Sequence, residues 1–105
     1  MSNALQTYLY NTQPEATQEL CDQLGSINFT RFMGEVNDPE ELAVLLQQSD
    51  ANLVFFHLDP RPAAVIEVIE QVSTRYPALA LIALSHKTGP EAILAPIRAG
   101  CDQFV

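Results

Sequence analysis

Two stretches bring polar chemistry to the ends of apolar runs. In "FFHLDP" (Phe55 to Pro60) an imidazole and a carboxylate, His57 and Asp59, stand two residues apart beside a proline. In "ALALIALS" (Ala78 to Ser85) the run closes on a hydroxyl, Ser85, and His86 follows. An imidazole moves protons, ligates metals or accepts a phosphoryl group, and a hydroxyl becomes a nucleophile only beside a base. Spacing alone assembles no nucleophile, base and orienting group from these residues. Alternate residues of a strand share a face, but Pro60 and Pro62 indicate that the chain is already turning at Asp59. Asp59 therefore reads as a turn or capping residue, and His57 as a strand-end polar group with a satisfied hydrogen bond. His86 reads as a solvated loop residue. Cys21 and Cys101 lack metal-type spacing, so both read as reduced core thiols and no metal site is expected.

These groups must be positioned by the elements around them. "LQTYLY" (Leu5 to Tyr10) reads as a strand. "QPEATQELCDQLG" (Gln13 to Gly25) reads as a helix opened by Pro14 and stopped by Gly25, with Ala16, Leu20 and Leu24 on one face. "NFTRFMGEV" (Asn28 to Val36) is a weaker strand. Asp38 is set to cap a helix from Pro39 to Ser49, with acidic residues in the first turn where the helix dipole favours them. "NLVFFHL" (Asn52 to Leu58) is apolar without alternation, as a strand covered on both faces must be, and is expected at the centre. Val65, Ile66, Ile69, Val72 and Tyr76 recur at helical spacing and stop before Pro77. A fourth strand over Ala78 to Ser85, a short helix over Thr88 to Gly100 and a strand beginning at "CDQFV" complete the chain. Strict strand–helix alternation implies a parallel sheet with right-handed crossovers and helices on both faces.

The 105 residues suit one domain with a real core. With 48% hydrophobic and 17% charged residues, the composition is that of a folded soluble protein. Thirteen carboxylates against five Lys and Arg give a net charge of −8, which repels phosphate backbones and anionic lipid, so nucleic acid is not an expected partner. No apolar run approaches the roughly 20 residues needed to span a bilayer, and the start lacks the pattern of a secretion signal. No membrane insertion is expected, and the expected location is the cytoplasm. Ser2 to Ala4 fits a cloning remnant and native sequence equally.

The order of elements, with "NLVFFHLDP", "LIALS" and "RAGCDQF", resembles the receiver domain of bacterial response regulators, and within that group most resembles the N-terminal domain of CpaE/TadZ-type pilus assembly proteins. The resemblance covers nearly the whole chain. It implies an α/β, doubly wound, flavodoxin-like sheet of five parallel strands in the order 2-1-3-4-5. In the pilus proteins such a domain precedes an ATPase, so the chain is expected to be the N-terminal part of a longer protein. A working receiver carries an acidic pair after strand 1, an Asp at the end of strand 3 and a Ser or Thr after strand 4, because Mg²⁺ takes hard oxygen ligands and screens the carboxylate from the incoming phosphoryl group. Aligned with that pattern, Asn11 and Thr12 fall on the acidic pair, His57 on the phosphoacceptor and Ser85 on the hydroxyl. Neutral imidazole suits softer metals than Mg²⁺. The implied site is degenerate, with no cofactor and no catalysis expected, and Asp59 is the alternative phosphoacceptor.

Function is then expected on surfaces. Pro96 interrupts the fourth helix, at a cost of about 3 kcal/mol if that helix stays regular. With Leu94, Ile97 and Arg98 it forms one candidate contact surface. A receiver has a fifth helix after the fifth strand. Without it the fourth and fifth strands expose apolar groups, here Leu81, Leu84 and Phe104, and a homodimer through that face is expected. The leading reading is a non-enzymatic, receiver-like interaction and localisation module of a pilus assembly ATPase. Two rivals stay open: a phosphorylatable receiver using Asp59 or His57, and a small-molecule-binding domain at the C-terminal ends of the strands, touching Asn11, His57 and Ser85.

Overall fold

The computed structural model describes residues 5–13, 15, 17–25, 30–48, 50–59, 61–85 and 89–104. Five strands, β1 (Leu5–Tyr10), β2 (Thr30–Val36), β3 (Leu53–His57), β4 (Ala80–Leu84) and β5 (Gln103–Phe104), alternate with α1 (Thr17–Gly25), α2 (Pro39–Gln48), α3 (Pro62–Arg75) and α4 (Pro90–Ala99). All pairings are parallel and the order is β2-β1-β3-β4-β5, as expected. The expected elements are all present. Helix α1 begins four residues after Gln13, and β4 begins two residues after Ala78, beyond the turn at Pro77. The expected roles of Pro14, of His86 and of Ser2 to Ala4 lie outside the described residues.

Strand parity sorts the core into two layers. Tyr8, Tyr10, Val54, Phe56, Leu58, Leu81 and Ala83 meet Leu42 and Leu46 of α2 and Val65, Val68, Ile69 and Val72 of α3. On the other face Leu9, Leu53 and Phe55 meet Leu20 and Leu24 of α1, with Leu5, Ala80, Ile82 and Leu84 packed at the margin. Every residue of β3 is buried, which is why that run carries no polar alternation. Asp38 caps α2, its Oδ1 accepting from the Glu40 amide at 2.9 Å.

Two expected surface residues are corrected by this parity. Leu81 is 1% exposed, because it points with Ala83 to the face that α3 covers. On the other face of β4, Ile82 and Leu84 are half-buried and pack against the layer formed with α1. Phe104 is half-buried against the α3 layer and does not line that face. Pro96 is also buried, while Leu94, Ile97 and Arg98 are exposed. Ala92, Ala95, Pro96 and Ala99 form the inward stripe of α4, so the proline packs inside and only its three neighbours are presented to solvent. The helix closes three residues after the proline, and the Pro96 carbonyl accepts from the Cys101 amide at 3.0 Å.

Cys101 lies on the α3 side, buried and unbridged. Burial, and then the nearby Asp102 carboxylate, push its thiol from 9.0 up to about 12. The native protein therefore keeps a thiol that the unfolded chain ionises from about pH 9 upward. Its stabilising contribution is complete below pH 9 and is lost as pH rises toward 12. Native protein treated with iodoacetamide at pH 8.5 is expected to leave Cys101 unmodified by peptide mapping, and urea-unfolded protein to modify it fully. Equal labelling in both states would show the thiol to be accessible.

Candidate functional site

The C-terminal ends of β1, β3 and β4 converge on a chain of polar side chains. Asn11 follows β1 directly and its amide donates to the Val36 carbonyl at 2.9 Å, so the ladder holds it rigidly. His57 closes β3. Both side chains sit in the interior at 2% exposure, and Asn11 Oδ1 lies 2.9 Å from His57 Nδ1. The same oxygen accepts from the Gln13 amide at 3.1 Å, while Asn11 Nδ2 donates to the Gln13 carbonyl at 2.9 Å and to Glu35 Oε2 at 3.1 Å. Those partners fix which end of the Asn11 amide is oxygen. His57 must then carry its proton on Nδ1 and donate it to Asn11.

The other ring nitrogen faces Asp59. His57 Nε2 and Asp59 Oδ2 are 3.9 Å apart, and Ser85 donates its hydroxyl to Asp59 Oδ1 at 3.0 Å. Strand β3 ends at His57, and the Leu58 amide closes the His57–Leu84 pair of the ladder by donating to the Leu84 carbonyl at 2.9 Å, with Leu58 buried on the α3 side. Asp59 thus lies beyond the strand, as expected, yet its carboxylate comes back to the side of His57. Asn11, His57, Asp59 and Ser85 come together in one array; Thr12 is exposed.

Glu35 and Thr17 are members that the sequence reading missed. Glu35 Oε1 accepts from the Thr17 hydroxyl at 3.3 Å, so the array reaches from β4 across to β2 and the first turn of α1. A bulge makes this reach possible. Thr7 pairs with Phe32 but Tyr8 with Gly34, leaving Met33 as the extra residue in β2, and Glu35 lies beside Leu9 instead of Tyr10. That shift carries the carboxylate to Asn11's side of the sheet. The only local signal is the Gly34–Glu35 pair inside a strand, which hints at an irregularity without giving its phase.

On the opposite face of the sheet, in the layer against α2 and α3, burial and then the Asp38 charge raise the Tyr10 phenol above its usual range, so it stays neutral. Its ring packs on Phe56 with centroids 5.6 Å apart.

The array does not suit Mg²⁺, the ion that phosphoryl transfer on a receiver requires. Its centre is an N–H donor, His57 Nδ1, and the Asn11 oxygen already accepts two hydrogen bonds. Among the described residues no group of three or more His, Cys, Asp or Glu is placed to hold a metal. Among the described residues Ser85 donates to the Asp59 carboxylate, and the imidazole lies on the far side of that carboxylate. Among the described residues no helix is long and apolar enough to cross a membrane.

No protein-family model and no curated protein sequence matches the chain. Solved structures do. The isolated receiver (REC) domain of RcsB from Salmonella enterica serovar Typhimurium, in the presence of phosphomimetic BeF3⁻, superposes with a TM-score of 0.81 at 20% identity, over 98% of this chain and 77% of that one. A LuxR-family two-component response regulator from Aurantimonas sp. SI85-9A1 gives 0.81 at 17%, over 96% and 72%. A structure of two RcsB dimers bound to two parallel DNAs gives 0.82 at 21%, over 98% of this chain and 53% of that one. The chain thus spans about half the length of the longer regulators it matches. What the likeness establishes is the architecture: this chain has the fold of response-regulator receiver domains.

Proposed function

We propose that this chain is a non-enzymatic, receiver-like module that works in the cytoplasm by binding other proteins. The observation that carries the reading is the hydrogen bond between Asn11 and His57, 2.9 Å long and inside the protein. These residues stand at the ends of β1 and β3, where the resemblance calls for acidic metal ligands and a phosphoacceptor. An imidazole–amide pair there offers no oxygen cage to a hard cation. The finer reading, an interaction and localisation domain of a CpaE/TadZ-type pilus assembly ATPase, is supported by the sequence resemblance alone. Self-association through the face around Ile82 and Leu84 belongs to the same proposal, and the RcsB dimers on DNA are a precedent for pairing in this fold.

One observation favours a second reading. Asp59 is a carboxylate with 15% of its side chain exposed, and its Oδ1 holds the Ser85 hydroxyl at 3.0 Å. That is the pairing of acid and hydroxyl a phosphoacceptor needs, displaced by two residues along the chain. Incubation with acetyl phosphate and 10 mM Mg²⁺, followed by intact-mass analysis, separates the two. The proposal expects less than about 5% of molecules to gain a phosphate, since the ion that organises transfer has no cage. Stoichiometric phosphate that disappears in Asp59→Asn would replace it with the second reading.

A further inference from the structure

We propose that the outer edge of β2 takes up an extended basic segment of a partner protein, which adds to the sheet as an antiparallel strand. This names a surface and a partner chemistry for the protein-binding reading above and rests on it.

Strand β2 ends the sheet on one side, and among the described residues nothing pairs with its outer edge. A sheet edge exposes unpaired amides and carbonyls, and proteins ordinarily blunt it with brevity, lysine, proline or a bulge. Here β2 has seven residues, the longest strand of the five, with no lysine and no proline, and only the bulge at Met33 blunts it. Backbone groups along a parallel strand face its two sides alternately. The Val36 carbonyl faces β1, where it accepts from the Asn11 amide, so the amide and carbonyl of Glu35 face outward. Gln6 turns its carbonyl to the Asn52 amide on the β3 side, so its registered partner Arg31 bonds to β1 and Phe32 faces outward in turn. An incoming strand therefore meets backbone groups on each side of the bulge. It also meets apolar surface, since Phe32 and Met33 are 37% and 41% exposed.

The charge of the occupant follows from how the carboxylates are distributed. Residues 1–50, which hold β1, α1, β2 and α2, carry eight Asp and Glu against one Arg, whereas residues 51–105 carry five against four Lys and Arg. Nearly all of the net charge of −8 thus lies in the part of the chain that contains the open edge. Helices α1 and α2 cover opposite faces of the sheet, and both expose carboxylates, Glu19 and Asp22 on the one and Glu40 and Glu41 on the other. Asp38 and Glu35, which also accepts from Asn11 and Thr17, are exposed at the C-terminal end of β2. Arg31 stands near the other end. A strand with Lys or Arg where it meets Glu35 and Asp38, and β-branched residues along Phe32 and Met33, complements this edge in charge as well as in backbone. Antiparallel addition, the way edge strands often join otherwise parallel sheets, puts those basic residues at the N-terminal end of the segment. A second copy of this chain brings the same excess of carboxylates and is disfavoured.

The test is fluorescence anisotropy of a labelled peptide, KRKVTVTV, titrated with the protein, with the contact mapped by amide shifts of ¹⁵N-labelled protein. Saturation is expected with a Kd of about 50 µM, and the shifts should centre on Phe32, Met33, Gly34 and Glu35. Of two peptides N-methylated on one or the other alternate set of amides, one should lose at least about ten-fold in affinity and the other little, because only one edge of the peptide faces β2. The peptide EEEVTVTV should not bind detectably, and Glu40→Gln combined with Glu41→Gln should weaken KRKVTVTV about three-fold. Equal binding of EEEVTVTV, affinity indifferent to both N-methylations, or shifts centred away from β2 would each overturn the proposal. So would a dimer of the protein alone in sedimentation that Met33→Lys dissolves, since the edge would then belong to a second copy. These outcomes strike the edge alone; the protein-binding reading stands or falls on the acetyl phosphate experiment, which reads Asp59 and not β2.

Discussion

Gly100→Ala is expected to destabilise the fold by about 3 kcal/mol or more. Gly100 follows α4 with φ 128° and ψ 3°, and among the described residues it alone has a positive φ. A side chain in that region costs about 1–2 kcal/mol before any contact is counted. Contact then adds to it: the new Cβ would sit 2.1 Å from Ser73 Oγ and 2.4 Å from Ser73 Cβ, distances that force α3 and α4 apart. Overpacking of a settled interface costs about 1–3 kcal/mol more. The helix end cannot shift freely to relieve this, because the Gly100 amide donates to Ile97 and the Cys101 amide to Pro96 in the same turn. Urea unfolding followed by far-ultraviolet circular dichroism measures the loss. Ser73→Gly should cost about 1 kcal/mol by itself, as glycine within a helix does, yet recover part of the loss when combined with Gly100→Ala. A loss below about 1 kcal/mol for Gly100→Ala, or no recovery in the double variant, would mean that the two helices do not meet as closely as described.

Asn11→Ala should lower stability by about 2–4 kcal/mol. The alanine removes both bonds to Gln13 that shape the chain after β1, the bond to Glu35, and the acceptor for His57 Nδ1. Leaving a buried donor without its acceptor costs about 1–3 kcal/mol, more than the bond itself contributes. That asymmetry makes a sharper prediction possible. His57→Leu in the Asn11→Ala background removes the stranded donor, so the double variant should be more stable than the sum of the two single losses implies, by about 1 kcal/mol or more. Additive losses would show that Asn11 and His57 are neighbours without energetic coupling.

The expected coupling also bears on how polar side chains are accommodated at this end of the sheet. Two hydrogen-bonded groups meet there: Ser85 donates to Asp59, while His57 donates to Asn11 and Asn11 to Glu35. Between them Asp59 Oδ2 stands 3.9 Å from His57 Nε2, beyond hydrogen-bond reach. Paired donors tolerate burial, whereas an uncompensated cluster of carboxylates does not.

The elements, their order and the central position of β3 were legible in the sequence. Apolar runs without alternation mark strands covered on both faces, proline and glycine mark helix limits, and strand–helix alternation leaves few parallel topologies. That Asn11, His57 and Ser85 end neighbouring strands was implied by the resemblance to receiver domains, which supplies the order 2-1-3-4-5. Three things required the tertiary structure. Beyond the end of β3 the chain brings Asp59 back beside His57, a juxtaposition that the turn suggested by Pro60 and Pro62 does not itself specify. A one-residue bulge at Met33 changes which face Glu35 belongs to. Parity in β4 and the inward stripe of α4 bury Leu81 and Pro96. The bulge and the parity are matters of phase. A period-two strand exchanges its faces when one residue is added, so where the array and the surfaces lie is set by cross-strand pairing, which no single segment encodes.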